Sequence, residues 1–239
     1  MKLKNFAYAI TIGGAFAFAS CQAGVKDQPL KTQADSTSYA IGADMGEGLV
    51  KNLENAPGGT ELNSEIILAA IQTAINKGET KLTAEERQQV IRTFFTQQQE
   101  KVAQDNLEKG EKFLEENKSK DGVVTTESGL QYQVVKLGEG ELPTDESTVK
   151  VHYTGRLLPD ANNPEGKVFD SSIERNKPVE FPVTGVIKGW TEVLKLMPVG
   201  SEYKVFIPAE LAYGKNGAGR DIGPNSTLVF DVQLLEIVK

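Results

Sequence analysis

The chain has 239 residues, with 33 acidic against 26 basic side chains and a net charge of −7. Such a balance excludes nucleic acid, or an anionic membrane surface, as the partner of the folded part. One cysteine, Cys21, excludes an internal disulfide; the one histidine, His152, has a strand phase that points it away from Tyr153, so no His/Cys metal site and no Ser–His triad are expected.

Met1-Lys2-Leu3-Lys4 is a short basic start, followed by an apolar run from Phe6 to Ala19 and then Ser20-Cys21. A charged opening, a short apolar stretch and small residues describe an export signal, residues 1–20, too short to span a bilayer. Ala19-Ser20-Cys21 fits the pattern before a lipidated cysteine in bacterial lipoproteins, with Phe18 where Leu is usual. The alternative is an ordinary signal with an incidental cysteine. An exported chain with only one thiol has no internal partner for it, which favours lipidation. Removing residues 1–20 takes away Lys2 and Lys4 and deepens the charge from −7 to −9. No second run is apolar enough to cross a bilayer, so the acyl chains alone would hold the protein to a membrane. The expected location is the periplasmic face of a bacterial membrane, with the outer membrane favoured.

Residues 21–35 are polar and aperiodic and read as a lipidated tether. Helical spacing begins at Ser36: Tyr39, Ile41, Met45, Leu49 and Leu53 recur before Pro57-Gly58-Gly59 interrupts them. Asn63 or Ser64 can cap a second helix that carries Ile66, Ile67, Ala70, Ile71 and Ile75 and closes at Lys77-Gly78. Thr83 and Glu86 form the two halves of a capping box. A third helix can run from Ala84 to about Lys118, roughly 50 Å at 1.5 Å per residue. Its apolar residues are dense early (Val90, Ile91, Phe94, Phe95) and sparse later (Val102, Leu107, Phe113, Leu114). This predicts that the early half packs within a helical domain and the later half is a solvated, charge-rich arm. So little helix makes a small core, which predicts a homodimer through residues 36–118, with a monomeric helical domain as the alternative.

Beyond Lys120-Asp121-Gly122 the spacing changes to alternation: Leu130, Tyr132 and Val134; Val149, Val151 and Tyr153; Tyr203, Val205 and Ile207; Leu228, Phe230 and Val232. One short helical stretch, Lys188–Met197, lies among these strands. Residues 123–239 therefore read as an α+β domain, an antiparallel sheet wrapped on a short helix, behind an all-helical N-terminal domain and long linking helix. The strand phase sets Tyr153 opposite to His152, which is expected at the surface. Gly138-Glu139-Gly140 is a loop rather than a phosphate cradle, because no helix start follows it.

Five segments of this region, VHYTG (Val151–Gly155), KVFDSS (Lys167–Ser172), GVIKGW (Gly185–Trp190), LAYGKNGAG (Leu211–Gly219) and TLVFDVQLLEI (Thr227–Ile237), together resemble the FKBP-type peptidyl-prolyl cis–trans isomerases. Ser38-Tyr39-Ala40-Ile41-Gly42 and the long helix resemble the helical domain of the FkpA and macrophage-infectivity-potentiator class, in which that domain dimerises. The resemblance implies an isomerase of proline-containing exported polypeptides, with no cofactor and no metal. It maps the family's pocket onto Tyr153, Phe169, Asp170, Ile187, Trp190, Tyr213 and Phe230 as catalytic residues. Phe181, Val186 and Ile222 would complete substrate binding.

By the same resemblance, Trp190 would lie beneath the proline ring, with Tyr153, Phe169 and Phe230 as walls. The Ile187 N–H and the Tyr213 hydroxyl would hold substrate carbonyls. Asp170 could face the twisting amide or order Tyr153, with Arg175 as its partner; a plain turn-capping role is the alternative. The glycine-rich stretch Tyr213–Ser226 resembles the loop that overhangs the family's pocket, with Ala218 where the eukaryotic pattern has histidine and Asp221 where it has an apolar residue. Two other readings stay open: a dimeric holdase chaperone with catalysis secondary, and a surface protein whose pocket only binds.

Overall fold

The computed structural model describes residues 28–238. The expected export signal and Cys21 lie outside the described residues. Contacts divide the chain into one unit ending at Leu49 and another from Val50 onward. The first unit holds most of helix α1 (Gln33–Glu54), which starts within the segment expected to be a tether. No residue of α1 is buried, and Tyr39, Ile41 and Met45 are all more than half exposed.

The second unit opens with two helices whose starts are chemically marked. In α2 (Ser64–Ile75) the Asn63 side chain accepts the N–H groups of Glu65 and Ile66 at 2.9 and 3.2 Å. Its end carries the crossed bonds of a Schellman turn, Gly78 N–H to Thr73 O and Lys77 N–H to Ala74 O. Lys77 (φ 55°), not Gly78, takes the left-handed position. Helix α3 (Ala84–Asn117) begins with both bonds of the Thr83–Glu86 capping box and runs 34 residues without a break.

The two halves of α3 differ from expectation in opposite senses. Early α3 is not covered within one chain: Val90 and Ile91 stay at least half exposed, as do Ile66 and Ile75 on α2. The later half is no free arm. Gly110 and Asn117 are buried, Phe113 meets Phe206 with ring centres 5.7 Å apart, and Asn117 Nδ2 donates to Gln131 Oε1 at 2.9 Å. Gln131 Nε2 in turn donates to Leu114 O at 2.8 Å. Charged residues such as Lys112 and Glu116 stay largely exposed.

The strands are β1 (Val123–Thr125), β2 (Gln131–Lys136), β3 (Thr148–Leu157), β4 (Val168–Ser171), β5 (Val179–Pro182), β6 (Glu202–Ile207) and β7 (Leu228–Val238). They form one antiparallel sheet in the order β1-β2-β6-β7-β3-β4, with β5 also on β3. Helix α4 (Lys188–Leu194) is shorter than the predicted Lys188–Met197 and sends Trp190, Val193 and Leu194 into the same core as Val149, Val151, Val205, Leu228 and Val232. The alternation predicted for β3 holds: Val149, Val151, Tyr153 and Gly155 are buried and the residues between them are less so.

Candidate active site

Sheet register decides which side chains meet. On β3, Gly155 lies opposite Phe230 of β7 and Asp170 of β4, while Tyr153 lies two residues away on the same face. Helix α4 brings Trp190 to the floor. Its ring meets Tyr153 and Phe230 edge-to-face, both with centres 5.3 Å apart, and Phe181 at 5.8 Å. Phe169 meets Phe230 in the same manner at 5.6 Å. These T-shaped contacts set the positive edge of one ring on the negative face of the next, adding to burial.

The rings enclose a hollow of about 440 Å³. Tyr153, Phe169, Asp170, Phe181, Val186, Ile187, Trp190, Tyr213 and Phe230 all line it. Ile222 is not among these wall residues; it is buried in the same core cluster as Tyr153, Trp190 and Phe230, and its backbone pairs with Ala218. Two glycines that sequence reasoning passed over also matter. Gly185 lines the hollow, and a Cβ at Gly155 would lie 2.6 Å from both Phe169 Cζ and Phe230 Cε1. A residue that acts by having no side chain leaves no apolar or polar signal in the sequence.

Asp170 is the one carboxylate in the wall. The Tyr153 hydroxyl donates to one of its oxygens and the Arg175 guanidinium donates to the other. Arg175 also donates to the Tyr153 oxygen at 3.2 Å. Burial pushes the Asp170 carboxyl up, but the hydrogen bonds from Tyr153 and Arg175 and the charge of Arg175 outweigh it, so the group sits below the ordinary carboxylate value. Burial, with the bond to Asp170, pushes the Tyr153 phenol up. The acid is therefore ionised and the phenol neutral across the physiological range.

His152, on the opposite face of β3, is half-buried rather than free at the surface, with Nδ1 3.0 Å from Ser172 Oγ. That buried hydroxyl accepts the Tyr153 N–H at 2.8 Å, which fixes the strand where the tyrosine leaves it. At the rim, the Ile187 N–H has no hydrogen-bond partner among the described residues. Tyr213 opens a loop that folds on itself: Asn225 N–H donates to Gly214 O at 2.8 Å, and Ala218 and Ile222 exchange bonds of 2.8 and 3.1 Å.

A hollow lined mostly by aromatic and aliphatic side chains, with one fixed carboxylate in its wall, suits a site that binds and reshapes a substrate. Residues 139–235 match the family profile described as FKBP-type peptidyl-prolyl cis-trans isomerase, and residues 34–134 match the domain amino-terminal to such isomerases. The chain belongs to the FKBP-type peptidyl-prolyl cis–trans isomerase family and is an enzyme of that class. It is 43% identical to an FkpA isomerase of Aeromonas hydrophila across 93% of this chain and 83% of the relative. It is 39% identical to the outer membrane protein MIP of Legionella longbeachae across the whole chain and 99% of the relative. The crystal structure of FkpA from Escherichia coli, 40% identical, covers 87% of this chain and 98% of its own with a TM-score of 0.66.

Proposed function

We propose that catalysis is carried by the ring-lined hollow over Trp190, acting on proline-containing exported polypeptides. An X–Pro amide is kept planar by resonance behind a barrier of about 18–20 kcal/mol. The planar amide is more dipolar than the twisted one, in which nitrogen conjugation is lost. An apolar pocket therefore disfavours the ground state more than the transition state. An acceleration of about 10⁴–10⁵-fold requires only roughly 5–7 kcal/mol of such discrimination.

In this reading the proline ring rests on Trp190 between Tyr153, Phe169 and Phe230, with Phe181 and Val186 at the substrate's flank. The unpaired Ile187 N–H and the half-exposed Tyr213 hydroxyl take substrate carbonyls. Both oxygens of Asp170 are engaged by Tyr153 and Arg175, so ordering Tyr153 is the acid's first task, with its charge turned toward the hollow. The observation that carries the reading is the set of edge-to-face contacts centred on Trp190 beside a fixed, ionised acid. The test is refolding of a proline-limited protein with catalytic amounts of the full chain and of an Asp170→Ala/Phe230→Ala variant. Acceleration by the wild type alone is expected. Equal acceleration by the folded variant would move catalysis elsewhere.

Residues 36–118 pair two copies. The support is the large apolar side chains left exposed on α1 and, in the second unit, on α2 and early α3. Sedimentation should give a dimer, and Ile75→Glu with Val90→Glu a monomer of unchanged kcat/KM. A second reading is a dimeric holdase that binds unfolded clients in the cleft between its two arms; it predicts suppressed aggregation by a catalytically dead variant.

Export and a lipid on Cys21 complete the proposal. No helix among the described residues is long and apolar enough to cross a membrane, and a relative that covers the whole chain is named an outer membrane protein. Cys21→Ser should release the protein from membranes into the soluble exported fraction.

A further inference from the structure

The loop that carries Tyr213 is tied to helix α3 through one residue. Asn225 adopts a left-handed backbone (φ 54°) and uses both of its amides. Its main-chain N–H donates to Gly214 O at 2.8 Å, next to Tyr213, and its side-chain Nδ2 donates to Ala103 O on α3 at 3.2 Å. Asn106, one helical turn further on, donates to Pro224 O at 2.9 Å and reaches Ser226 Oγ at 3.4 Å. Four residues on again, Gly110 lets the helix backbone lie directly on Thr227, since a Cβ there would overlap Thr227 Oγ1. Residues 103, 106 and 110 share one helix face, so α3 offers this loop backbone and a short amide, with Val102 alongside Gly223.

We propose that Asn225 is a positioning residue for the isomerase reaction, holding the Tyr213 end of the pocket loop against helix α3. The long helix is then a structural part of the pocket as well as a spacer. The physical reason is entropic. Tyr213–Ser226 contains four glycines, and a free loop of that composition must be ordered each time a substrate engages it. Bonds made before the substrate arrives remove that cost from binding. The proposal rests on the reading of Tyr213 as a substrate contact.

The test uses the full chain and a proline peptide substrate. Asn225→Gly keeps the left-handed backbone and its N–H while removing only the side-chain bond to Ala103. The expected result is a KM raised about three- to tenfold with kcat little changed, as suits one part-buried hydrogen bond. Hydrogen exchange should quicken in residues 213–226 and stay unchanged in the sheet. Gly110→Ala should do the same by prying the helix from Thr227, and adding Thr227→Ala, which removes the obstructing oxygen, should restore KM. Phe230→Ala is the reference for the pocket itself. Unchanged KM and loop protection in both latch variants, with activity lost in Phe230→Ala, would overturn the latch alone. A fall in melting temperature without a change in KM would do so too. Full activity in Phe230→Ala would overturn the pocket reading and this proposal with it.

Discussion

Tyr153 gives its hydroxyl hydrogen to Asp170 and receives one from Arg175, so a single phenol joins an acid and a base across the pocket wall. Removing the acid should therefore disturb the tyrosine more than the fold. Asp170→Ala is expected to lower kcat/KM about 10- to 100-fold, the usual weight of a charge-assisted hydrogen bond. Asp170→Asn should keep part of that activity. Peptide isomerisation kinetics, with near-ultraviolet circular dichroism for the tyrosine environment, check both.

Acid should act through the same group. The Asp170 carboxyl is depressed in the fold, so its contribution is present above its ordinary value of 3.8 and lost as pH falls through the lower folded value. Activity and melting temperature should thus hold steady from neutral pH to about 4 and fall below it. At the other edge, the raised Tyr153 phenol favours the fold below its ordinary value of 10.0 and ceases to do so as pH rises through the higher folded value. Melting curves of the wild type and Asp170→Asn at pH 3, 6 and 11 separate the two edges, the variant losing only the acid one.

Gly155 offers a steric test. Alanine there would place a methyl against Phe169 and Phe230, and overpacking of this kind costs about 1–3 kcal/mol. Gly155→Ala should melt several degrees lower and lose most of its catalysis, because the two rings must separate. Calorimetry and refolding kinetics on the same sample show whether the effects travel together.

A fragment cut at Val123, the expected domain start, should be less stable than one cut at Ala84. The shorter piece uncovers Phe206 and leaves Gln131 without Asn117 and Leu114. Loss of those contacts is expected to cost about 2–4 kcal/mol. Urea midpoints of the two fragments measure it.

Much of the fold could be read from spacing. Val149, Val151 and Tyr153 alternate, Thr83 and Glu86 stand three apart, and both signals are local, so both survive into the structure. The docked tail of α3 could not be read in this way. It attaches partly through Asn106, Gly110 and Asn117, which carry no apolar signal, while Val102, Leu107, Phe113 and Leu114, all part-buried, form a stripe too sparse among charged residues to announce a partner. Ile222 lies in the same buried cluster as Tyr153, Trp190 and Phe230, though not among the wall residues, a distinction of side-chain placement that its position in the motif does not carry. The aromatic hollow was legible because large rings at five separate sites had few other ways to be buried together.

Trp190 is the only tryptophan in the chain, and it forms the floor of the hollow with just 4% of its surface exposed. Light absorbed selectively by indole therefore interrogates this one place and no other. Whatever enters must change the surroundings of that ring, so its emission records occupancy without any label. The enzyme comes equipped with its own optical gauge, and a titration in a plain fluorimeter cuvette can rank candidate peptides.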